Sequence, residues 1–169
     1  MLYGHDKPVT CVGLSTSLDM AVSGSLDGTV NVHTIKEGQY IRTVEPPQRG
    51  IERIITHLTL SDKGHVVFTA EEKDNFSMHV YTINGEEVGL SYNPFAFTAL
   101  SIAEDYVMAG DSNGELTIRN IHGLDLIVGM PMHSTVESLV VAPRNTQLLV
   151  SLKDGKVVVI APLLPYSLY

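Results

Sequence analysis

The stretch SGSLDGTVNV at 23–32 recurs loosely as AGDSNGELTI at 109–118 and as VSLKDGKVVV at 150–159. Gly28 and Gly114 stand 86 residues apart, which is twice 43, and Gly155 follows Gly114 by 41. The spacing predicts a further copy midway through the first interval, where KDNFSMHVY at 73–81 stands. There Asp74-Asn75 would take the turn, and Phe76, Met78 and Val80 alternate behind it. Asp or Asn before Gly supplies the positive-φ turn of a tight hairpin, and alternating apolar residues on either side read as half-buried strands. No stretch carries a sustained helical period, so the chain reads as all-β.

A period of about 40–45 residues with several short strands per unit is that of a β-propeller of the WD-repeat type. The reading is a partial propeller of about four blades, each a four-stranded antiparallel sheet, at 1–46, 47–93, 94–130 and 131–169. The expected strands are 9–14, 20–25, 29–34 and 40–44; then 54–60, 65–70, 76–81 and 88–92; then 97–102, 106–110, 115–120 and 126–129; and last 136–141, 147–151 and 156–160. The fourth unit ends in PLLPYSLY, whose prolines cannot donate to a ladder, so no fourth strand is assigned there.

Composition narrows the function classes. The 169 residues suffice for one domain with a real core, 44% are hydrophobic, and no apolar run is long enough to span a membrane. A net charge of −8 with no Lys/Arg cluster disfavours nucleic acid and anionic lipid as direct partners. Cys11 is the single cysteine, which suits a reducing compartment, and no secretory signal is visible at the start.

Unit one carries Gly4-His5, then Ser23, Asp27 and His33-Thr34. This resembles the WD repeat, in which Gly-His, Ser, Asp and a strand-closing Trp-Asp recur. The resemblance implies a hydrogen-bonded chain across the blade formed by His5, Ser23, Asp27 and His33. The physical sense is that buried polar groups must find partners and thereby pin neighbouring strands. Unit three places Ala109, Asn113 and Arg119 at the Ser, Asp and Trp positions, and unit four Val150, Asp154 and Ile160. His33 and His79 read as equivalent strand positions of units one and two. Residues 2–43, with His33-Thr34-Ile35 in place of Trp-Asp, resemble the C-terminal propeller of the neurobeachin and neurobeachin-like BEACH proteins. VYTING at 80–85 and LKDGKVVVI at 152–160 resemble its later blades in the same order. The resemblance implies large cytosolic scaffolds, peripheral to intracellular membranes, acting in vesicle traffic or granule biogenesis. It also implies about seven blades, of which this chain would hold the last four. Missing N-terminal blades or self-association would then be needed to close the ring.

No catalytic, metal or cofactor site is assigned. Ser23 lies within an expected strand rather than on a nucleophile elbow, so His5, Ser23 and Asp27 read as framework rather than triad. The seven histidines at 5, 33, 57, 65, 79, 122 and 133 show no zinc-type spacing. The glycines and their neighbours at Gly28, Asn75, Gly114, Asp154 and Gly155 read as hairpin turns. The expected partner contacts lie on loops: Asp6 and Lys7, Glu71 and Glu72 of the EEKD hairpin, and Asn93-Pro94-Phe95, a motif also read by EH-domain adaptors. The function expected is a protein-interaction scaffold with protein partners. The alternatives are a stand-alone adaptor of another complex, or an enzyme acting in the propeller channel through His57.

Overall fold

The computed structural model describes residues 1–46 and 52–161. Among these residues, fifteen strands form four antiparallel sheets, each a meander in chain order. The first holds β1 (Val9–Ser15), β2 (Met20–Ser25), β3 (Val30–Thr34) and β4 (Tyr40–Val44). The second holds β5 (Ile54–Leu60), β6 (His65–Glu72), β7 (Asn75–Thr82) and β8 (Glu87–Asn93). The third holds β9 (Phe97–Ala103), β10 (Tyr106–Asp111), β11 (Glu115–Asn120) and β12 (Leu126–Pro131). The last holds β13 (Val136–Val141), β14 (Leu148–Leu152) and β15 (Val157–Ile160), with a 3-10 turn at Pro143–Asn145. This is the all-β arc of propeller blades expected from the repeat. Residues 162–169, for which no fourth strand was expected, and the start of unit two at 47–51 lie outside the described residues.

The inner strands carry the arc, with β1 against β5, β5 against β9 and β9 against β13. The core lies between sheets rather than within one. Val22, Val30, Val32, Ile55 and Phe68 fill the first seam. Val67, Met78, Val80, Phe97 and Val107 fill the second, and Met108, Leu116, Ile118, Val136 and Leu148 the third. Each strand alternates, so one set of side chains faces the preceding sheet and the other the following one. Small residues permit close approach at the first seam. A Cβ on Gly24 would lie 2.5 Å from Ile55 Cγ2 and 2.8 Å from Cys11 Sγ. Inner strands β1, β5 and β13 and the β9–β10 ladder each contain a register shift. At the first shift Thr10 Oγ1 lies 3.1 Å from Gly24 O and 2.6 Å from Ile55 O of the next sheet. A bulge here re-aims a hydroxyl from the ladder onto a neighbour.

Hydrogen bonds set the equivalences between units. Thr34 N donates to Gln39 O and Thr82 N to Glu86 O, closing matched turns. His33 therefore corresponds to Tyr81, not to His79, and His79 corresponds to Asn31. The alignment by residue type was misled because the β6–β7 hairpin is longer than its counterparts. Tyr81 fills the Trp position: it is buried, stacks 5.8 Å from Phe68, and its hydroxyl donates to Glu87 Oε2 at 2.7 Å.

Candidate interaction cleft

The loop at 4–8 and the Gly28 turn are joined by a compact polar cluster. His5 Nδ1 lies 3.0 Å from Asp27 Oδ2 and 3.2 Å from Thr29 Oγ1, and Nε2 lies 2.9 Å from Ser23 Oγ. Asp27 also accepts the Asp6 N–H at 3.0 Å and, through its other oxygen, the Thr29 N–H at 2.9 Å and hydroxyl at 2.6 Å. Burial alone would push the Asp27 carboxyl up. The donors from Thr29, Asp6 and His5 outweigh it and hold the group below the ordinary carboxylate range. Ser25 Oγ accepts the Asp27 N–H at 3.1 Å and sits 3.0 Å from the carbonyls of Lys7 and Pro8.

His33 takes a different partner. Its Nε2 lies 3.0 Å from Tyr3 O, and its ring meets Tyr40 edge-on. It ties down the chain ahead of Gly4-His5 instead of extending the cluster around His5. Thr29 and Ser25 are the members that sequence reasoning passed over. Each stands two residues from Asp27, where a short hydroxyl side chain competes for turn N–H groups.

Around this cluster opens a cleft of about 670 Å³ between the first two sheets, lined by Lys7, Leu26, Asp27, Arg53, Glu71 and Lys73, among others. Thus Lys7 and Glu71, read separately as contact candidates, share one cleft. Glu72 does not offer a free carboxylate. It is ion-paired with buried Arg53, whose Nη1 also points at Pro46 O, 3.5 Å away. The turn between β6 and β7 falls on Lys73 and Asp74, with Lys73 at φ 50°, and Asn75 pairs with Glu72 as the first residue of β7. The expected Asp74-Asn75 turn is therefore displaced by one residue, because ladder pairing continues up to Glu72.

Asn93-Pro94-Phe95 is built into the third unit. Asn93 Nδ2 donates to Phe95 O at 2.8 Å and to Asp111 Oδ2 at 3.1 Å. Buried Asp111 also accepts the N–H groups of Asn113 and Glu115 at 3.0 and 2.9 Å. The turn carboxylate of unit three is thus Asp111 rather than Asn113. Pro94 and Phe95 of the three-residue motif are exposed, while Asn93 is occupied. Gly28, Gly114 and Gly155 hold φ of 82°, 82° and 88°, which any Cβ would strain. In the fourth unit Asp154 accepts from Lys156 Nζ at 2.6 Å, and its own N–H reaches Ser134 Oγ at 3.2 Å.

Elsewhere, His57 Nδ1 sits 3.2 Å from the hydroxyls of Thr56 and Thr69, and burial pushes its pKa down. Among the described residues, no group of three His, Cys, Asp or Glu side chains is placed to hold a metal ion. No helix among them is long and apolar enough to cross a membrane.

Known proteins share this arrangement. The chain is 28% identical over 161 residues to BEACH domain-containing protein B of Arabidopsis thaliana, covering 94% of this chain and 6% of that protein. The chain thus spans a small part of that relative. Among solved structures, it matches the computationally designed Ika4 protein at TM-score 0.75 and 26% identity, covering 95% of each chain. It matches the Cps50 (Swd1) β-propeller domain of Myceliophteria thermophila at TM-score 0.76 and 18% identity, covering 99% of this chain and 57% of that one. The profile of the neurobeachin β-propeller domain matches residues 1–164, and with this fold and repeat the chain belongs to the neurobeachin β-propeller family.

Proposed function

We propose that this chain is the interaction surface of a BEACH-type scaffold in the cytoplasm, holding protein partners during vesicle traffic or granule biogenesis. The observation that carries the reading is the cleft between the first two sheets, where Lys7 and Asp27 from two loops of the first sheet meet Glu71 and Lys73 of the β6–β7 hairpin. Loops fixed on a rigid sheet framework are where such folds place recognition. The cleft has both charge signs beside apolar Leu26 and Ile54. That suits a protein segment with an aliphatic anchor flanked by charges better than it suits a polyanion or a lipid surface. The module binds rather than catalyses on this reading, and His57, satisfied by two threonine hydroxyls, takes no chemical part.

The test compares proteins captured from cytosol by the wild type with those captured by the double variant Lys7→Glu, Glu71→Lys. Both positions line the cleft at the surface, so the fold should survive, as circular dichroism would verify. The expected result is loss of specific partners by the variant and their retention by His57→Ala. An unchanged capture profile for the cleft variant would overturn the cleft as the recognition surface.

A further inference from the structure

Two turns of the chain carry Asn before Gly, at 84–85 between β7 and β8 and at 113–114 between β10 and β11. In this pair the Gly amide nitrogen can close on the Asn side-chain carbonyl carbon, because no Cβ stands in the way. The nucleophile is the peptide nitrogen after loss of its proton. Its negative charge is shared with the oxygen of the same peptide group, the Asn carbonyl. Whatever faces that peptide group therefore decides how readily the ring closes.

The fold gives the two turns opposite surroundings. At the first, the Arg42 guanidinium reaches over from β4 of unit one, and its Nη1 donates to Asn84 O. That oxygen is the one on which charge develops, and charge-assisted donors are the strong ones. A Cβ on Gly85 would lie 3.1 Å from the same Nη1, so the guanidinium lies against the turn. Arg42 Nε is buried and finds no hydrogen-bond partner among the described residues. The carboxylates next in sequence, Glu86 and Glu87, are exposed, and Glu87 accepts from the Tyr81 hydroxyl. Asn84 and Gly85 are open to water, and the Gly85 N–H donates to Thr82 O at 2.9 Å, a bond that opens before the ring closes.

At the second turn the facing group is an anion. Asp111 Oδ1 accepts the N–H groups of Asn113 and Glu115 at 3.0 and 2.9 Å, which sets a carboxylate beside the peptide that would carry the charge. Gly114 is buried, its N–H donates to Asp111 O at 3.1 Å, and its carbonyl accepts from Met132 N–H at 2.7 Å. A Cβ there would lie 2.6 Å from Ser134 O, so the backbone of the next unit wedges this turn in place.

We propose that Asn84 is a site of self-modification activated by Arg42, and that Asn113 is protected from the same reaction. The Gly85 nitrogen gives up its proton to solvent and bonds to Asn84 Cγ. The Cγ–Nδ2 bond breaks, and the side-chain nitrogen leaves as ammonia, taking up a proton. A cyclic succinimide remains. Solvent water then opens the ring at either carbonyl, returning a proton to the Gly85 nitrogen and leaving aspartate or isoaspartate. No oxidant or reductant enters. The product carries a new carboxylate at the contact that Arg42 makes between units one and two.

The test incubates the whole chain at neutral and mildly alkaline pH. Mass spectrometry follows the peptides containing Asn84 and Asn113, and methyltransferase labelling identifies isoaspartate. In the folded chain Asn84 is expected to convert about tenfold faster than Asn113, a difference that unfolding in urea should largely erase. Arg42→Gln is expected to slow Asn84 about tenfold at every pH, and Arg42→Lys, which keeps a cation, to fall between it and the wild type. An Arg42 that merely held the turn would give the opposite sign, since a looser turn frees the Gly85 nitrogen. The Asn113 rate reports the fold, and its acceleration would mark an unfolded variant. If Arg42→Gln unfolds, Arg42→Lys decides, and an unchanged Asn84 rate there would overturn the proposal. Equal rates at the two turns of the folded chain would also overturn it, as would an Asn84 rate unchanged or raised in folded Arg42→Gln.

Discussion

The Gly28 and Gly155 turns share the sequence Asp-Gly at the same place in the repeat, yet they sit in different surroundings. Asp27 accepts from Thr29, Asp6 and His5 and joins two loops of its sheet. The Asp154 carboxylate accepts from Lys156 N–H and Nζ within its own turn, and only the Asp154 backbone N–H reaches another loop, at Ser134 Oγ. A Cβ on Gly28 would lie 3.1 Å from Arg53 O of the next sheet, whereas one on Gly155 would meet nothing within 4 Å. The local sequence specifies the turn. Its energetic weight comes from what the next unit places against it.

Four measurements sharpen or break that contrast, in order of expected size. Asp27→Ala should cost about 3 kcal/mol in urea unfolding, because it leaves the His5 ring and two N–H groups without their acceptor. Asp154→Ala should leave the midpoint unchanged; equal costs at the two sites would sink the contrast. Next, Gly28→Ala should cost about 2 kcal/mol, combining left-handed strain with the Arg53 contact, against about 1 kcal/mol for Gly155→Ala from strain alone. Ser23→Ala should cost about 1 kcal/mol as one hydrogen bond to His5 is lost.

The smallest effect is in acid. The Asp27 carboxyl is lowered in the folded state, so its contribution is fully present above the unfolded value of about 4 and fades as pH falls through the lower folded value. The stability gap between wild type and Asp27→Asn should therefore narrow below about pH 4. Asp154 is also held low, first by the Lys156 ammonium, but at an exposed site where salt screens the pair. Added salt should thus leave the Asp27 gap nearly intact. A gap constant down to the acid limit would show that Asp27 acts by shape rather than charge.

Strand positions were legible because alternation and turn residues act locally. In unit one, Met20–Ser25, the Asp27-Gly28 turn and Tyr40–Val44 needed no knowledge of neighbours to place. The pairing of His5 with Asp27 was legible through the Gly-His resemblance. The bond from His33 to Tyr3 O was not, since a backbone carbonyl leaves no trace in residue type. Arg53 illustrates the same limit. Its ion pair with Glu72 depends on how the β6–β7 hairpin overhangs the start of β5, a distance that no local pattern encodes. Asp111 was passed over in favour of Asn113 because either side chain suits the turn. What separates them is the set of bonds that Asp111 accepts, from the Asn93 amide and the N–H groups of Asn113 and Glu115.

Cys11 sits at the seam between the first two sheets, half-buried, packed with Ile55 and Val22, with its thiol pushed up by burial. A thiol reagent reaches it fully only when that seam parts. As the sole sulfhydryl in the chain, it is a built-in clock for the breathing of two neighbouring blades. Its labelling half-time under native conditions would time how often the first blade lifts from the second, and occupancy of the adjoining cleft should slow that clock.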